Sequence, residues 1–302
     1  MKLPASMQVF ERGWLSSNNI LFTGSKETAL VDSGYATHAP QTLALVGHGL
    51  GGRPLDRLFN THLHSDHCGG NAALQRAYAC RTAIPAGEAD KVRGWDADAL
   101  TYKATGQQCE RFRFDDTIAP GDVLQFGDMT WQALGAPGHD PNSLIFYCAD
   151  ERILISADAL WENGFGVVFP ELQGESGFAE VRATLELIAS LDVKLVIPGH
   201  GAPFTGVARA LETAFSRLDY FVGDPTRNAQ NAIKVFLKFL LLEKQAIPLA
   251  QLEPMLTGMI LFREANRRYL NKEEPELVHW AVAQLVRAGA AEIQSDRLAN
   301  KD

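Results

Sequence analysis

Seven side chains of the kinds that bind metal ions are spread over four short segments, and the fold has to bring those segments together. Four of the seven fall within six residues, and the other three follow far apart along the chain. Imidazole and carboxylate groups suit zinc and related first-row metals. Five of the chain's eight histidines belong to this set, which chance would rarely arrange. The seven residues are His62, His64, Asp66, His67, His139, Asp158 and His200.

Apolar runs alternate with amphipathic stretches in the first two thirds of the chain. The runs predict strands at residues 19–23, 28–32, 57–61, 123–126, 129–134, 143–147, 153–156 and 195–198. The amphipathic stretches predict helices at residues 40–46, 70–78, 86–95, 178–191 and 207–221. Strands with interleaved helices favour a layered α/β domain. Each metal-binding candidate comes just after a predicted strand, where such sheets present functional side chains.

The pattern changes after a predicted turn at residues 223–228. Helices are predicted at residues 229–244, 249–256 and 275–288, followed by a short strand at 291–294. Three helices before a small hairpin loosely resemble a winged-helix arrangement. We therefore expect a catalytic domain at 1–222 and a smaller, mainly helical domain at 229–302.

Composition narrows the class of protein. The 302 residues are 46% hydrophobic, enough for a sizeable core, yet no run approaches the roughly 18 apolar residues of a membrane span. The N-terminal residues lack the apolar centre of a signal peptide, and the cysteines have no CxxC spacing, so we expect a cytoplasmic protein with reduced thiols. A net charge of -8 disfavours nucleic acid as a partner without excluding it. A small-molecule substrate is expected, and the sequence leaves the oligomeric state open.

The spacing within the first motif suggests how two ions are held. Alternate residues of an extended segment point the same way, so His62 and His64 can share one metal. Asp66 and His67 lie at the following turn and can face a second. The later candidates complete the set. His139 can supply a third nitrogen to the first metal, His200 can supply another nitrogen to the second, and Asp158 can place a carboxylate between them. An isolated histidine in a loop is usually a surface residue, and Asp158 has a helix N-cap as its alternative role.

These residues resemble the metallo-β-lactamase superfamily, the αββα-sandwich metallohydrolases, over residues 19–201. The resemblance implies that fold, followed here by the smaller helical domain. It places His62, His64 and His139 on one metal and Asp66, His67 and His200 on the other, with Asp158 shared. It also gives Asp32 a supporting role behind the ligands. The alternative for Asp32 is an aspartate that caps a turn.

The leading functional hypothesis is a dinuclear metal-dependent hydrolase in which a bridging hydroxide attacks a thioester or other ester-like small substrate. Asp66 would stay coordinated and orient the hydroxide or take its proton. Zinc is the favoured metal, with iron and manganese open. Three alternatives remain: an RNA nuclease or phosphodiesterase, a mono-iron persulfide dioxygenase, and a non-catalytic metal-binding protein.

Several residues have weaker assignments. Trp161, Asn163 and Phe165 follow Asp158 and are candidates to line a substrate pocket, although aromatic loop residues also close the edges of cores. Arg263 and Arg267 are candidates to bind a substrate anion, although a solvated helix face is the favoured interpretation.

Overall fold

The computed structural model describes residues 3–301. Its strands are β1 Met7–Phe10, β2 Asn19–Thr23, β3 Thr28–Val31, β4 Arg57–Phe59, β5 Arg81–Pro85, β6 Asp116–Ile118, β7 Val123–Phe126, β8 Met129–Gly135, β9 Leu144–Cys148, β10 Ile153–Ala157, β11 Leu195–Pro198, β12 Ala246–Pro248, β13 Ala291–Gln294 and β14 Arg297–Asn300.

The α-helices are α1 Ala39–Leu50, α2 Ser65–Cys68, α3 Asn71–Tyr78, α4 Ala89–Gly94, α5 Phe169–Gln173, α6 Phe178–Ser190, α7 Val207–Gly223, α8 Thr226–Lys244, α9 Leu249–Thr257, α10 Ile260–Ala265 and α11 Glu274–Arg287. Short 3₁₀ turns precede α1 and α4, at Ala36–His38 and Ala86–Glu88, and a π-helical turn at Asn266–Leu270 follows α10. No helix within residues 3–301 is both long enough and apolar enough to cross a membrane.

Two sheets form the centre of the molecule. The first has six strands in the order β1-β2-β3-β4-β5-β6, and the second has five in the order β11-β10-β9-β8-β7. In the first sheet β3 through β6 pair in parallel, whereas in the second only β10 and β11 do. The carboxyl ends of β4, β8, β10 and β11 precede the loops that carry the predicted metal ligands.

Successive side chains of a strand point to opposite faces of its sheet, so one set packs against the other sheet and the next set packs against a helix. Ile20 and Phe22 of β2 face the second sheet and pack in one cluster with Trp131. Leu21, between them, faces the other way and packs with Val46 of α1. Because both faces are covered, strands such as β2 and β3 are buried almost throughout, as their continuous apolar runs indicate.

Helices cover the outer face of each sheet. Helices α1 and α3 share a core cluster with the first sheet. Helices α6 and α7 contact one another and share a cluster with the second sheet. The layers are therefore helix, sheet, sheet and helix, and the predicted α/β sandwich is confirmed.

The C-terminal elements form a separate core cluster around α8, α9, α10 and α11. A three-stranded sheet, ordered β12-β14-β13, packs beside them. The predicted three helices become four, because α10 and its π-helical turn follow α9, and the predicted hairpin gains β12 as a third strand. The division into domains at 1–222 and 229–302 stays a prediction.

The sequence patterns missed five strands: β1, β5, β6, β12 and β14. Strands β6 and β12 have only three residues each. β5 begins with the exposed Arg81, and β14 begins with the exposed Arg297. The strands of three residues lack the length over which a two-residue period can be recognised. The helix predicted at 86–95 also divides into the 3₁₀ turn and the shorter α4.

Candidate metal centre

The loops after four strands bring the seven predicted ligands to one place. His62, His64, Asp66 and His67 follow β4, the last two lying in the single turn of α2. His139 follows β8, Asp158 follows β10 and His200 follows β11. All seven are buried, with relative exposures between 0% and 8%. Their donor atoms fall into two groups, and within each group the atoms lie within 4.8 Å of one another.

The first group consists of three histidines. His64 Nδ1 lies 3.1 Å from His62 Nε2 and 2.8 Å from His139 Nε2. On the other side of the same ring, His64 Nε2 lies 3.7 Å from the carboxylate of Asp140, a neighbour that the sequence did not single out.

The second group contains two histidines and two carboxylates. His200 Nε2 lies 3.1 Å from Asp66 Oδ2. His67 Nε2 lies 3.5 Å from Asp158 Oδ1 and 3.9 Å from Asp66 Oδ2. The other oxygen of Asp158, Oδ2, lies 3.3 Å from His139 Nε2 in the first group. Asp158 therefore lies between the two groups, with one oxygen toward each.

A glycine at position 199 allows the backbone to approach the side chains of Asp158 and His67 closely. Gly199 precedes His200, and a Cβ atom at position 199 would collide with Asp158 Oδ1 and press on the ring of His67. The Pro-Gly-His sequence at the end of β11 thus brings the backbone of residue 199 against the Asp158 carboxylate, which any larger residue at that position would displace.

The hydrogen bonds behind the histidines show that this donor set fits metal ions. His139 Nδ1 lies 2.6 Å from the carbonyl oxygen of Val167, which can only accept, so Nδ1 carries the hydrogen and Nε2 presents a lone pair. His67 Nδ1 lies 2.8 Å from Asp32 Oδ2, which leaves His67 Nε2 facing Asp158 and Asp66. That Nε2 atom is buried without a hydrogen-bond partner among the described residues. Convergent lone pairs and an orphaned nitrogen are what a cation would satisfy.

Burial and charge favour the protonation states that bind metals. Burial lowers the pKa of His64 to about 4 and that of His139 to about 4, and it lowers the pKa of His62 well below its usual value. Burial alone would raise the pKa of Asp158, but His200 and His67 hold it well below its usual value. Neutral imidazole and ionised carboxylate are the forms that coordinate metal.

The pKa of His67 shifts in the opposite direction, because negative charges around it outweigh the effect of burial. Although burial disfavours its charge, the carboxylates of Asp158, Asp32 and Asp66 raise the pKa of His67 well above its usual value. This concentration of negative charge attracts a cation to the position that His67 Nε2 faces.

Asp32 holds the metal-binding loop in place. Its Oδ1 accepts a hydrogen bond from the backbone N–H of Thr61 at 2.9 Å, and its Oδ2 accepts one from the Thr61 hydroxyl at 2.8 Å. The same Oδ2 accepts from His67 Nδ1. Asp32 has a φ of 57°, a left-handed conformation that aspartate and asparagine tolerate better than most residues. A residue that supports the ligands from behind would make such contacts, and the supporting role of Asp32 stays a prediction.

We expect Asp32→Ala to weaken metal affinity about 10- to 100-fold, because the imidazole of His67 loses the partner that fixes its orientation. Asp32→Asn should cost less, since asparagine keeps the left-handed backbone and one accepting oxygen. Titration with zinc against a chromophoric chelator measures both variants. Equal affinity for Asp32→Ala and the native protein would show that Asp32 only shapes its turn.

A cavity of about 360 Å³ opens onto the donor groups. His64, Asp66, His139, Asp158 and His200 contribute to its wall. Its other walls are mainly apolar and include Trp14, Trp161, Phe165, Val167, Phe169, Val235, Phe239 and Leu242. This volume is in the range of pockets for small molecules.

The predicted substrate-binding residues divide between the cavity and the surface. Trp161 lines the cavity, and its Nε1 donates a hydrogen bond to Asp158 Oδ1 at 3.2 Å. Asn163, Arg263 and Arg267 are not among the described residues that line the cavity. Arg263 instead hydrogen-bonds the carbonyl of Thr257, and Arg267 pairs with Glu264 at 2.6 Å. Both arginines are exposed, and a role for them in substrate binding stays a prediction.

Other cavity residues were missed by the sequence interpretation. The indole of Trp14 stacks on His200, with ring centroids 5.4 Å apart and planes 8° apart. One face of α8 supplies a wall through Asn231, Val235, Lys238, Phe239 and Leu242. The spacing of these five positions is a helical stripe, but nothing local shows which stripe of an apolar helix faces a site. Arg217 of α7 also lines the cavity.

Cys68, which follows His67, packs as a buried thiol. Its sulfur lies 3.2 Å from the hydroxyl of Tyr102 and 3.4 Å from the carbonyl oxygen of Leu63.

Comparison with known proteins agrees with this geometry. The sequence profile of the metallo-beta-lactamase superfamily matches residues 12–200, a stretch that contains Asp32 and all seven candidate ligands. The chain belongs to the metallo-beta-lactamase superfamily. The predicted family is thereby confirmed.

Individual members of the superfamily add detail. A hydroxyacylglutathione hydrolase of Rhodopseudomonas palustris is 34% identical over 142 residues, 47% of this chain and 46% of that protein. The chain spans about half the length of the curated relatives it matches.

Two solved structures share the fold. A metallo-beta-lactamase family protein from Thermus thermophilus aligns with 99% of this chain and 100% of its own, with a TM-score of 0.60 and 19% identity. The protein TTHA1623, solved in a di-iron-bound form, aligns with 68% of this chain and 98% of its own, with a TM-score of 0.56 and 25% identity. The first of these covers the C-terminal helices as well as the sandwich.

Proposed function

We propose that this protein is a metal-dependent hydrolase that acts on a thioester or a related small ester. The observation that carries the proposal is the convergence of seven buried metal-binding side chains at a cavity sized for a small molecule. His62, His64 and His139 would hold one ion, and Asp66, His67 and His200 would hold a second, with Asp158 between them. When bound, such ions lower the pKa of water and polarise a carbonyl group.

The chain's own residues position the reactants. Asp66 lines the cavity, and its Oδ2 lies 3.1 Å from His200 Nε2, so the Asp66 carboxylate is placed to orient water or to take its proton. Trp14 and Trp161 lie against His200, with ring centroids 5.4 Å and 5.6 Å from it, and shield that side of the site from solvent. Excluding water in this way strengthens the electrostatic interactions within the site.

Three observations support a small thioester as the substrate. The curated relatives are named hydroxyacylglutathione hydrolases, and a hydroxyacylglutathione is a thioester. The cavity walls are mainly apolar and are closed on one side by α8, whereas sites for single-stranded nucleic acid are positively charged grooves with stacking aromatics. The acidic net charge of -8 also favours a small substrate over RNA.

A hydrolysis assay tests the proposal. Purified protein should cleave S-acyl glutathione, releasing a thiol that a disulfide reagent detects. Activity should be lost on dialysis against a chelator and restored by zinc, iron or manganese. Thiol release that is unaffected by chelation would contradict metal dependence.

The same preparation separates the alternatives. Oxygen uptake with glutathione persulfide and one iron per chain would indicate the dioxygenase, and cleavage of single-stranded RNA would indicate the nuclease. Tightly bound metal without turnover of any of these substrates would indicate a binding protein.

A further inference from the structure

Arg217 places a fixed positive charge in the wall of the cavity. Its guanidinium carbon lies 5.6 Å from the ring centroid of Phe165 and 5.2 Å from that of Phe221, so two aromatic faces hold it. Gly164 faces the same side chain, and a Cβ atom there would lie 3.0 Å from Arg217 Cδ. The side chain is therefore packed in a defined orientation.

Within the part of the chain that the structure describes, the guanidinium has no anionic partner. Among residues 3–301 it forms neither an ion pair nor a hydrogen bond, and its buried Nε atom has no acceptor. Such an arrangement is uncommon for a group with five N–H donors, and it costs free energy unless a ligand supplies the acceptors.

A second cation, Lys234, lies close enough to Arg217 for their charges to interact. Burial and the neighbouring Arg217 both lower the pKa of Lys234, one turn before Lys238 on α8. Lys234 itself forms no part of the cavity wall within the described residues, so Arg217 is the cation that faces the cavity here. The ammonium of Lys238 is engaged elsewhere, since it donates to the carbonyl oxygens of Ala290 and Lys301 and to Asn300 Oδ1.

The cavity thus has three kinds of wall. Metal-binding side chains form one part, aromatic and aliphatic side chains such as Trp161 and Phe239 form another, and Arg217 forms a third. A ligand that satisfies all three carries a carbonyl group, an apolar body and an anion.

We propose that Arg217 binds a carboxylate or phosphate group of the substrate, and that the apolar walls hold the part of the substrate between this anion and the reacting carbonyl. This inference rests on the proposed hydrolase function and specifies its substrate class. Arg217 would be a substrate-binding residue, with the planar fork of donors that suits these anions.

A set of thioesters with one phenylacetyl group tests the assignment. The three thioesters differ in their thiol. N-acetylcysteamine is neutral, glutathione has carboxylate groups, and coenzyme A has phosphate groups. The native protein should have a higher kcat/KM for the thioester of one anionic thiol carrier, glutathione or coenzyme A, than for that of the neutral carrier, N-acetylcysteamine. The preferred carrier shows whether Arg217 binds a carboxylate or a phosphate. In Arg217→Met the ratio of anionic to neutral kcat/KM should fall about tenfold or more, through KM rather than kcat.

Two further variants make the result specific. Arg217→Lys retains the charge and should recover part of the preference. Arg209→Met removes an exposed arginine from the same helix and should leave the ratio unchanged. A ratio that is the same in Arg217→Met and the native protein, or a native enzyme without preference for either anionic carrier, would overturn the proposal.

A binding measurement distinguishes this proposal from the proposed hydrolase function. Trp14 and Trp161 line the cavity, so quenching of tryptophan fluorescence can measure the binding of 4-phenylbutyrate and of its neutral amide. The native protein should bind the carboxylate about tenfold more tightly, and Arg217→Met should lose this difference, whether or not any thioester is hydrolysed. A difference that persists in Arg217→Met would place the carboxylate at the metal-binding residues and contradict the role of Arg217.

Discussion

Replacing Asp158 with alanine should reduce hydrolysis about a thousandfold or more and lower the metal content of the purified protein. Asp158 is the residue whose two oxygens face both donor groups, 3.3 Å from His139 Nε2 and 3.5 Å from His67 Nε2. Its loss removes negative charge from between two positions for cations, so two ions held there would repel each other more strongly. Steady-state rates and metal analysis on the same sample measure both effects.

A matched control keeps that result specific. Asp150 is exposed, and Asp150→Ala should retain native rate and metal content. Circular dichroism of both variants shows whether the fold is retained. Native turnover in a folded Asp158→Ala protein would contradict the assignment of Asp158 to the centre.

Trp131→Ala should lower the free energy of unfolding by about 3–5 kcal/mol. Trp131 is fully buried between the two sheets, and its ring lies 5.6 Å from those of Phe22 and Phe126. Truncation leaves a cavity at the centre of the sandwich, where both sheets limit relaxation. Urea unfolding followed by circular dichroism measures the loss.

Trp131→Phe is the comparison for this effect. Phenylalanine keeps much of the volume and removes an indole N–H that is buried without a partner among the described residues. We expect it to cost clearly less than alanine. Equal losses for the two variants, or a loss below about 1 kcal/mol for alanine, would show that Trp131 does not organise this core.

The metal-binding set was predictable because it combines rare residue types with a fixed local spacing. His62, His64 and the turn after them are nearly contiguous, and His139, Asp158 and His200 each follow a strand that its apolar run reveals. The strands β2, β7 and β11 have the bounds that the sequence predicted. For β2 and β11 the reason is that continuous burial produces continuous apolar runs.

The substrate cavity was much less predictable because it depends on tertiary contacts. Arg263, Arg267 and Arg217 are alike as sequence features, yet only Arg217 packs on aromatic rings at the cavity wall. The helix α8 is apolar on several sides, and its packing against α11 and β14 decides which residues turn toward the site. Trp14 comes from an irregular segment with no periodic pattern at all.

The central claim is that distant loops of this chain cage a pair of cations, and the ratio of metal to protein tests it most directly. After incubation with excess zinc and removal of unbound metal, elemental analysis should find about two ions per chain. Replacing His64 and His67 together should reduce that number to near zero. A native protein that retains no zinc, or only one ion per chain, would contradict the dinuclear centre.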